Sequence, residues 1–402
     1  MSVSEISLLL TNDWELYGEG SGNFYELQSH RLSEMLMVLE KFGAKLTLFA
    51  EVGQQWAHLN AAASALPTSQ KFAQIAQQWL LCLQGSIQRG HDVQLHYHPT
   101  WKNAAHDGSS WKLDLSNWAL KDLGVKEALA DLQRGREYLN RIGQEVREDY
   151  QCLAFRAGAF CLQPIDQTLP ILREAGLVAD SSILPGAWDY LYFDYRNVPT
   201  QLGPFGLKSS GQIVSPEGAN LSSTVLLELP IHTERVWDSP IIRRLLPMSF
   251  GVRWHFGVKS DPIYKAWARA RDIKLAELSP HGDPLGSRRR LSKMNMQNWL
   301  GYMLRRSAYV LDYDFMQPDL FVALIKTALR RAEKQGFEGE LPLVALGHMN
   351  NSHSAENIER ILLALNKEFG AKLTFSTFQE TINKIMTPKK RLIEHKIENL
   401  NH

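Results

Sequence analysis

The sequence predicts an α/β fold, an irregular barrel of about seven to eight parallel strands with a large insertion late in the chain. Three observations point there. Short apolar runs alternate with amphipathic helical segments along most of the 402 residues, as expected of βαβ units with right-handed crossovers. The joint between a helix and the next run repeats around a glycine. Titratable residues recur where the apolar runs end, which is where a β/α barrel gathers its functional groups.

The elements follow in order. Strands are predicted at Ile6–Thr11, Lys45–Phe49, Val93–His96, Cys152–Phe155, Leu177–Ala179, Thr224–Leu229, Leu343–Leu346 and Lys372–Phe375. These are continuous apolar runs, the pattern of strands covered on both faces. Between them Leu32, Met35, Leu36, Leu39 and Phe42 fall at helical spacing, and so do Ile358, Ile361, Leu362, Leu365 and Phe369. The joint "LEKFGAKLTLFAE" (39–51) is echoed by "LNKEFGAKLTFST" (365–377), and similar joints stand at Gly90, Gly143, Gly176 and Gly336. Glycine suits the residue after a helix because it enters the left-handed region without a Cβ penalty. From Gly203 to Asp314 the rhythm breaks. That span holds Trp237, Trp254 and arginine clusters at Arg288–Arg290 and Arg305–Arg306, with helical patterning near Pro262–Leu278 and Met294–Val310. It reads as an insertion at the barrel mouth of a single domain over residues 1–385, and 386–402 as a polar tail.

Composition narrows the function. With 44 Lys+Arg against 43 Asp+Glu the formal charge is +1, so no global field draws the chain to nucleic acid or an anionic membrane. No apolar run is long enough for a transmembrane segment, and "MSVSEISLLLTNDWE" lacks a basic leader region. A cytoplasmic protein is expected. Cys82, Cys152 and Cys161 cannot all pair and sit in apolar stretches, as buried free thiols of a reducing compartment do. Aromatics make up 10% of the chain, with 11 Trp; these serve sugar-binding clefts or ordinary core filling. Oligomeric state is not legible.

The strand ends carry the candidate site. Asp13 and Glu15 close the first run, His96 and His98 the third, and Arg156, Asp180, His232 and His348 the later ones. Asp13 and Glu15 share one strand face, as do His96 and His98, because strand periodicity is two. Imidazoles and a carboxylate on one face suit a divalent metal: zinc first, with iron, cobalt, nickel or manganese compatible. The expected ligands are Asp13, His96 and His98, with Glu15 as reserve carboxylate. Such a site runs metal-assisted hydrolysis, a carboxylate acting as general base and a remote histidine as general acid. His91 precedes its strand and is assigned to structure.

With these residues in place, the chain resembles the polysaccharide deacetylases of the NodB-homology group (carbohydrate esterase family 4). The resemblance rests on an Asp-bearing first strand, then "GAKLTLFAEVG", "GHDVQLHYHPTW", "FRAGAF", "ADSSIL" and "VALGHMN", in the family's order and over about Ile6 to Glu380. It implies a NodB-like barrel, removal of an N-acetyl group from an aminosugar, and a carbohydrate substrate. It further implies Asp13 as base or ligand, His96 as metal ligand, Arg156 as the group orienting the base and His348 as the acid protonating the departing amine. Asn12 precedes Asp13 and Glu15 follows Trp14, so the first motif is that of an Asp-x-Glu branch. The family's second histidine falls on Thr100, and His98 is expected to substitute. Asp180, His232, Trp237 and Trp254 are the expected substrate contacts. The insertion and the lack of an export signal fit an enzyme acting inside the cell on a polysaccharide precursor.

Two alternatives stand beside this reading. One is a metal-free hydrolase on the same fold, using Asp13, Glu15 and His348 as paired acid and base. The other is a catalytically silent glycan-binding protein.

Overall fold

The computed structural model describes residues 3–189, 192–198, 203–216, 224–237, 306–350 and 354–386. In chain order the elements are β1 (Val3–Trp14), α1 (Arg31–Lys41), β2 (Leu46–Glu51), α2 (Val52–Ala62), α3 (Ser69–Gln88), β3 (Asp92–Tyr97), the hairpin β4 (Ala105–His106) and β5 (Trp111–Lys112), α4 (Val125–Gln144), β6 (Ala154–Ala157), α5 (Ile165–Glu174) and β7 (Ala179–Asp180). There follow β8 (Phe205–Lys208), β9 (Ile213–Val214), β10 (Val225–Glu228), β11 (Thr233–Trp237), β12 (Arg306–Val310), α6 (Pro318–Lys334), β13 (Gly339–His348), α7 (Ser354–Phe369), β14 (Leu373–Phe375) and α8 (Phe378–Met386).

Strands order as β13-β1-β2-β3-β6-β7-β10-β8-β9 in one sheet, with β14 on β1. Every predicted strand is present, and all of them pair in parallel. Only β8 and β9 run antiparallel. The sheet curls until the residues after β10 and β12 reach β13, through parallel bridges Ile231–Val344 and Asp312–Leu346. Among the described residues the ring is therefore closed by single bridges near the strand C-termini, an irregular β/α barrel.

Strand alternation sorts the side chains into two cores. Leu8, Leu10, Leu46, Leu48, Val93, Leu95 and Leu343 face the helices. Leu9, Phe49, Ala154, Ala179, Leu227, Val344 and Leu346 fill the interior, stoppered by Phe378 and Ile382 of α8. Phe49 and Phe378 meet edge to face, ring centroids 5.2 Å apart. Counting up by two from Leu9 gives Thr11, Asp13 and Glu15, and from Phe49 gives Glu51. The parity that builds the apolar floor also aims the polar strand ends into the mouth.

Three expectations change. Gly143 does not end its helix; α4 runs on to Gln144, because a Cβ at Gly143 would lie 2.1 Å from the Tyr150 ring. The glycine is there for close approach. Within the 203–314 span, β8 and β9 extend the barrel sheet, whereas β11 and β12 pair as a separate ribbon. The helical patterning that ran to Val310 ends in that ribbon: Arg306–Val310 is a strand, held antiparallel to Thr233–Trp237. Pro262–Leu278, Trp254, Arg288–Arg290 and Arg305 lie outside the described residues, as does most of the polar tail. No helix among the described residues is long and apolar enough to cross a membrane.

Candidate active site

Asp13 is the centre of one group. Its register partner on β13 is His348, which places both at the same height. Oδ1 accepts a hydrogen bond from Arg156 Nη1 at 2.6 Å, and Oδ2 lies 3.6 Å from His348 Nε2. Arg156 is fully buried, and all of its described contacts are local. Nη1 also donates to Thr11 Oγ1, Nε to the Ser181 carbonyl and Nη2 to Ser181 Oγ. Its guanidinium carbon stands 3.9 Å from the Phe49 ring centroid, a cation–π contact away from water. Burial pushes the Asp13 carboxyl up, but Arg156, His96 and His348 outweigh it and hold it below its ordinary value. Asp13 is a buried carboxylate kept ionised by a fixed cation.

The second group lies beside it. Glu15, Glu51, His96 and His98 are all buried, and one ligand atom from each lies within 4.8 Å of the others. His96 and His98 approach Glu15 Oε2 through Nε2 at 3.4 and 3.3 Å. His96 Nδ1 is 2.8 Å from the Arg156 carbonyl. A carbonyl only accepts, so Nδ1 carries a proton and Nε2 is the atom turned to the cluster. Glu51 ends β2 and caps α2, Oε1 accepting from Gly53 N at 2.7 Å and Oε2 from His98 N at 2.6 Å. The two imidazoles meet at right angles with centroids 4.9 Å apart, and His98 abuts Trp118. Gly158 makes room for this: a Cβ there would sit 2.6 Å from His98 Nδ1. The next two residues, Ala159 and Phe160, both take φ 54°, strained backbone for non-glycine residues. The turn brings the Phe160 ring edge-on to His348, 6.2 Å between centroids.

Charge in this cluster is not balanced as it is around Asp13. Burial raises the Glu51 carboxyl to about 8 despite nearby His96. Burial lowers both imidazoles, but for His96 the carboxylates of Glu15, Asp13 and Glu51 win and lift it to about 9. His98 falls to about 4 and is neutral. Two carboxyls and two imidazoles in a dry pocket, with no lysine or arginine among them, form a donor set that fits a divalent cation.

The expected site residues divide. Asp13, Glu15, His96, His98, Arg156 and His348 come together at the mouth. The metal ligand set differs from the expected Asp13, His96 and His98: Glu15 and Glu51 join the histidines, while Asp13 is committed to Arg156. Asp180 and His232 do not reach the site, for one physical reason. Both have the strand parity that faces outward, opposite Ala179 and Ile231. Asp180 is fully buried against Glu228 and Ser182, whose N and Oγ donate to its two oxygens. Burial raises the Asp180 carboxyl to about 6 and Glu228 well above its ordinary value, so the pair shares a proton. His232 Nε2 is 3.2 Å from Glu234, which is paired with Arg331 of α6. Trp237 ends β11, and Trp254 lies outside the described residues. Thr100, where a second histidine was sought, is fully buried. His91 sits at the strands' other end, its Nδ1 accepting from Leu46 N.

Sequence reasoning missed Glu51 and Asp312. Glu51 closes the run "LTLFAE", a charged residue ending an apolar strand, and the same rule that found the others applied to it. Asp312 is buried near His348 and Asp13; burial raises it to about 6, His348 opposing and Asp13 adding to the shift. Next to it Asp314 accepts the His348 backbone N–H. Two carboxylates thus flank the strand end that carries His348.

No family model and no curated protein sequence matches the chain. Solved structures that resemble it include a polysaccharide deacetylase from Mycobacterium smegmatis (TM-score 0.42, 11% identity, 96% of this chain and 94% of that one). Another is the allantoinase Puue (0.40, 11%, 94% and 89%). A third is a polysaccharide deacetylase from Pseudomonas aeruginosa PAO1 (0.42, 11%, 96% and 91%). At such similarity no chemistry is taken from them. Barrel and site stand on the strand register and the residues above.

Proposed function

We propose that the chain is a metal-dependent amide hydrolase that removes an N-acetyl group from an aminosugar of a polysaccharide or its precursor. The observation that carries this reading is the adjacency of two unlike groups at one barrel mouth: a four-residue ligand cluster, and a carboxylate held ionised by Arg156 within reach of a partly exposed histidine. Glu15, Glu51, His96 and His98 would hold the metal. When bound, it lowers the pKa of water and polarises the amide carbonyl. Asp13 accepts the proton of the attacking water. Arg156 keeps that carboxylate charged and fixed. His348, with 26% of its side chain open to solvent, delivers a proton to the departing amine, and Asp312 beside it favours the protonated imidazole. The motif order quoted from the sequence supports an aminosugar as the amide's bearer.

The test is metal content together with acetate release from N-acetylglucosamine and its oligomers. Protein purified without chelator should carry about one divalent ion per chain. Replacing His96→Ala with His98→Ala should remove the ion and bring turnover to the uncatalysed background, with the far-UV spectrum retained. Full activity in metal-stripped protein would overturn the metal role and favour an acid–base pair of Asp13 and His348 alone.

A further inference from the structure

Beyond the reacting groups the same mouth carries a second pocket, of about 510 Å³. Its walls come from three segments that leave strand C-termini: the loop after β1, helix α2 after β2, and the β4–β5 hairpin after β3, with the first turn of α3 closing the side. The distance from the metal cluster is short. Leu16 follows Glu15 directly, and His58 stands seven residues along α2 from Glu51, about 10 Å at helical rise.

The lining is aromatic. His58 stacks on Phe72 (6.0 Å, 19° between planes) and meets Trp111 at 5.6 Å and Phe24 at 6.2 Å. Trp111, half-exposed on the hairpin, also touches Phe72 and His106. Packing of core rings accounts for much of this, but two polar atoms remain unexplained. His58 is 1% exposed, and its Nδ1 has no hydrogen-bond partner. Glu19 Oε2 is likewise buried without a partner. A buried polar atom left unpaired costs free energy that a ligand hydroxyl would recover. Burial and His106 keep the His58 imidazole neutral, so it offers one donor and one acceptor rather than a charge. The rim adds one carboxylate, Glu19, one ammonium, Lys71, and the hydroxyls of Ser109 and Ser110. Charges balance, and no arginine is present to take a phosphate bidentately.

Apolar ring faces with neutral hydrogen-bonding groups at their edge match a pyranose, whose axial hydrogens are apolar and whose rim is hydroxylated. We propose that this pocket holds the sugar unit next to the one bearing the amide, so that the protein recognises a neutral oligosaccharide over a nucleotide-linked monosaccharide. The inference rests on the hydrolase reading for the adjoining site, but not for the pocket's existence.

Equilibrium binding to the metal-loaded full chain tests it, with three probes: N-acetylglucosamine, N,N′-diacetylchitobiose and uridine diphosphate N-acetylglucosamine. The disaccharide should bind about tenfold more tightly than the monosaccharide, and the nucleotide sugar no more tightly than the monosaccharide. Trp111→Leu should erase most of that tenfold advantage. Ser110→Trp, an exposed change that fills the pocket mouth without touching the core, should do the same. Equal affinity for one and two sugar units overturns the proposal, as does an advantage that survives both variants or tighter binding of the nucleotide sugar. Acetate release is read separately on the monosaccharide. Pocket-dependent binding without release would remove the hydrolase reading and leave the sugar pocket standing.

Discussion

Two groups of buried charge lie side by side at the barrel mouth, and they are neutralised differently. Around Asp13 the counter-charge is covalent to the chain: Arg156 stays protonated at any pH the protein meets, and the carboxyl is held low. Around Glu51 the only positive groups are imidazoles, and its carboxyl rises to about 8. The difference teaches what each group is for. A base that must be ionised at every turnover carries a permanent cation. A site meant to take a cation from solution is left short of one, and protons hold the place until it arrives.

The largest effect that would break this contrast is Arg156→Met. It strands Asp13 as an unpaired buried charge, with an expected stability loss of about 3–5 kcal/mol in denaturant unfolding and a turnover loss of about 10²–10⁴-fold. Glu51→Gln should behave oppositely in metal-free protein, with stability unchanged or higher at pH 8. Its metal affinity, measured by competition with a chelating dye, should fall by at least about tenfold. If both variants lose stability alike, the contrast is wrong.

A pH series sharpens it next. Folded Glu51 keeps its proton to about 8 against an ordinary 4.5, and His96 keeps its own to about 9 against 6.5. Both bind more protons folded than unfolded, so metal-free stability falls as pH rises, most steeply from about 6.5 to 8 where both act. His98, lowered to about 4, works the other way only below 6.5. Thermal melts with and without excess zinc should show the decline without metal and its loss with it. Asp312→Asn should cost about tenfold in kcat, with the alkaline limb of the pH–rate profile moving to lower pH as His348 loses a neighbouring carboxylate. The smallest effect is expected at the outward-facing histidine. His232→Asn should cost about 1 kcal/mol through the lost Glu234 contact and leave kcat/KM within about twofold.

Much of the barrel was legible because its evidence is local. Apolar runs, helical spacing and glycine joints are each read within a dozen residues, and they located all the strands of the parallel ring. Asp13, His96, Arg156 and His348 were legible for the same reason, as polar residues that end such runs. Glu51 was lost by ending its strand at Phe49, two residues short. Asp180 and His232 satisfied the rule but not the parity, since the phase of a short run is set by which neighbour it pairs with. Their partners, Glu228 and Glu234, had no local signature either. Asp312 follows a stretch whose helical patterning gave way to a strand, and a ribbon between residues some seventy apart cannot be inferred from either half.

Gly347 has a consequence of a different kind. A Cβ there would fall 2.1 Å from the Tyr313 ring, whose hydroxyl donates to the Thr11 carbonyl and accepts from Asn12. Even alanine at this position would evict the tyrosine and unfasten the first strand one residue before Asp13. Among inherited variants, Gly347 changes should therefore be as damaging as loss of His348 itself, although every reacting side chain would still be encoded. A survey of tolerated substitutions that scored only polar residues would pass over the position where the mouth of the barrel is easiest to spoil.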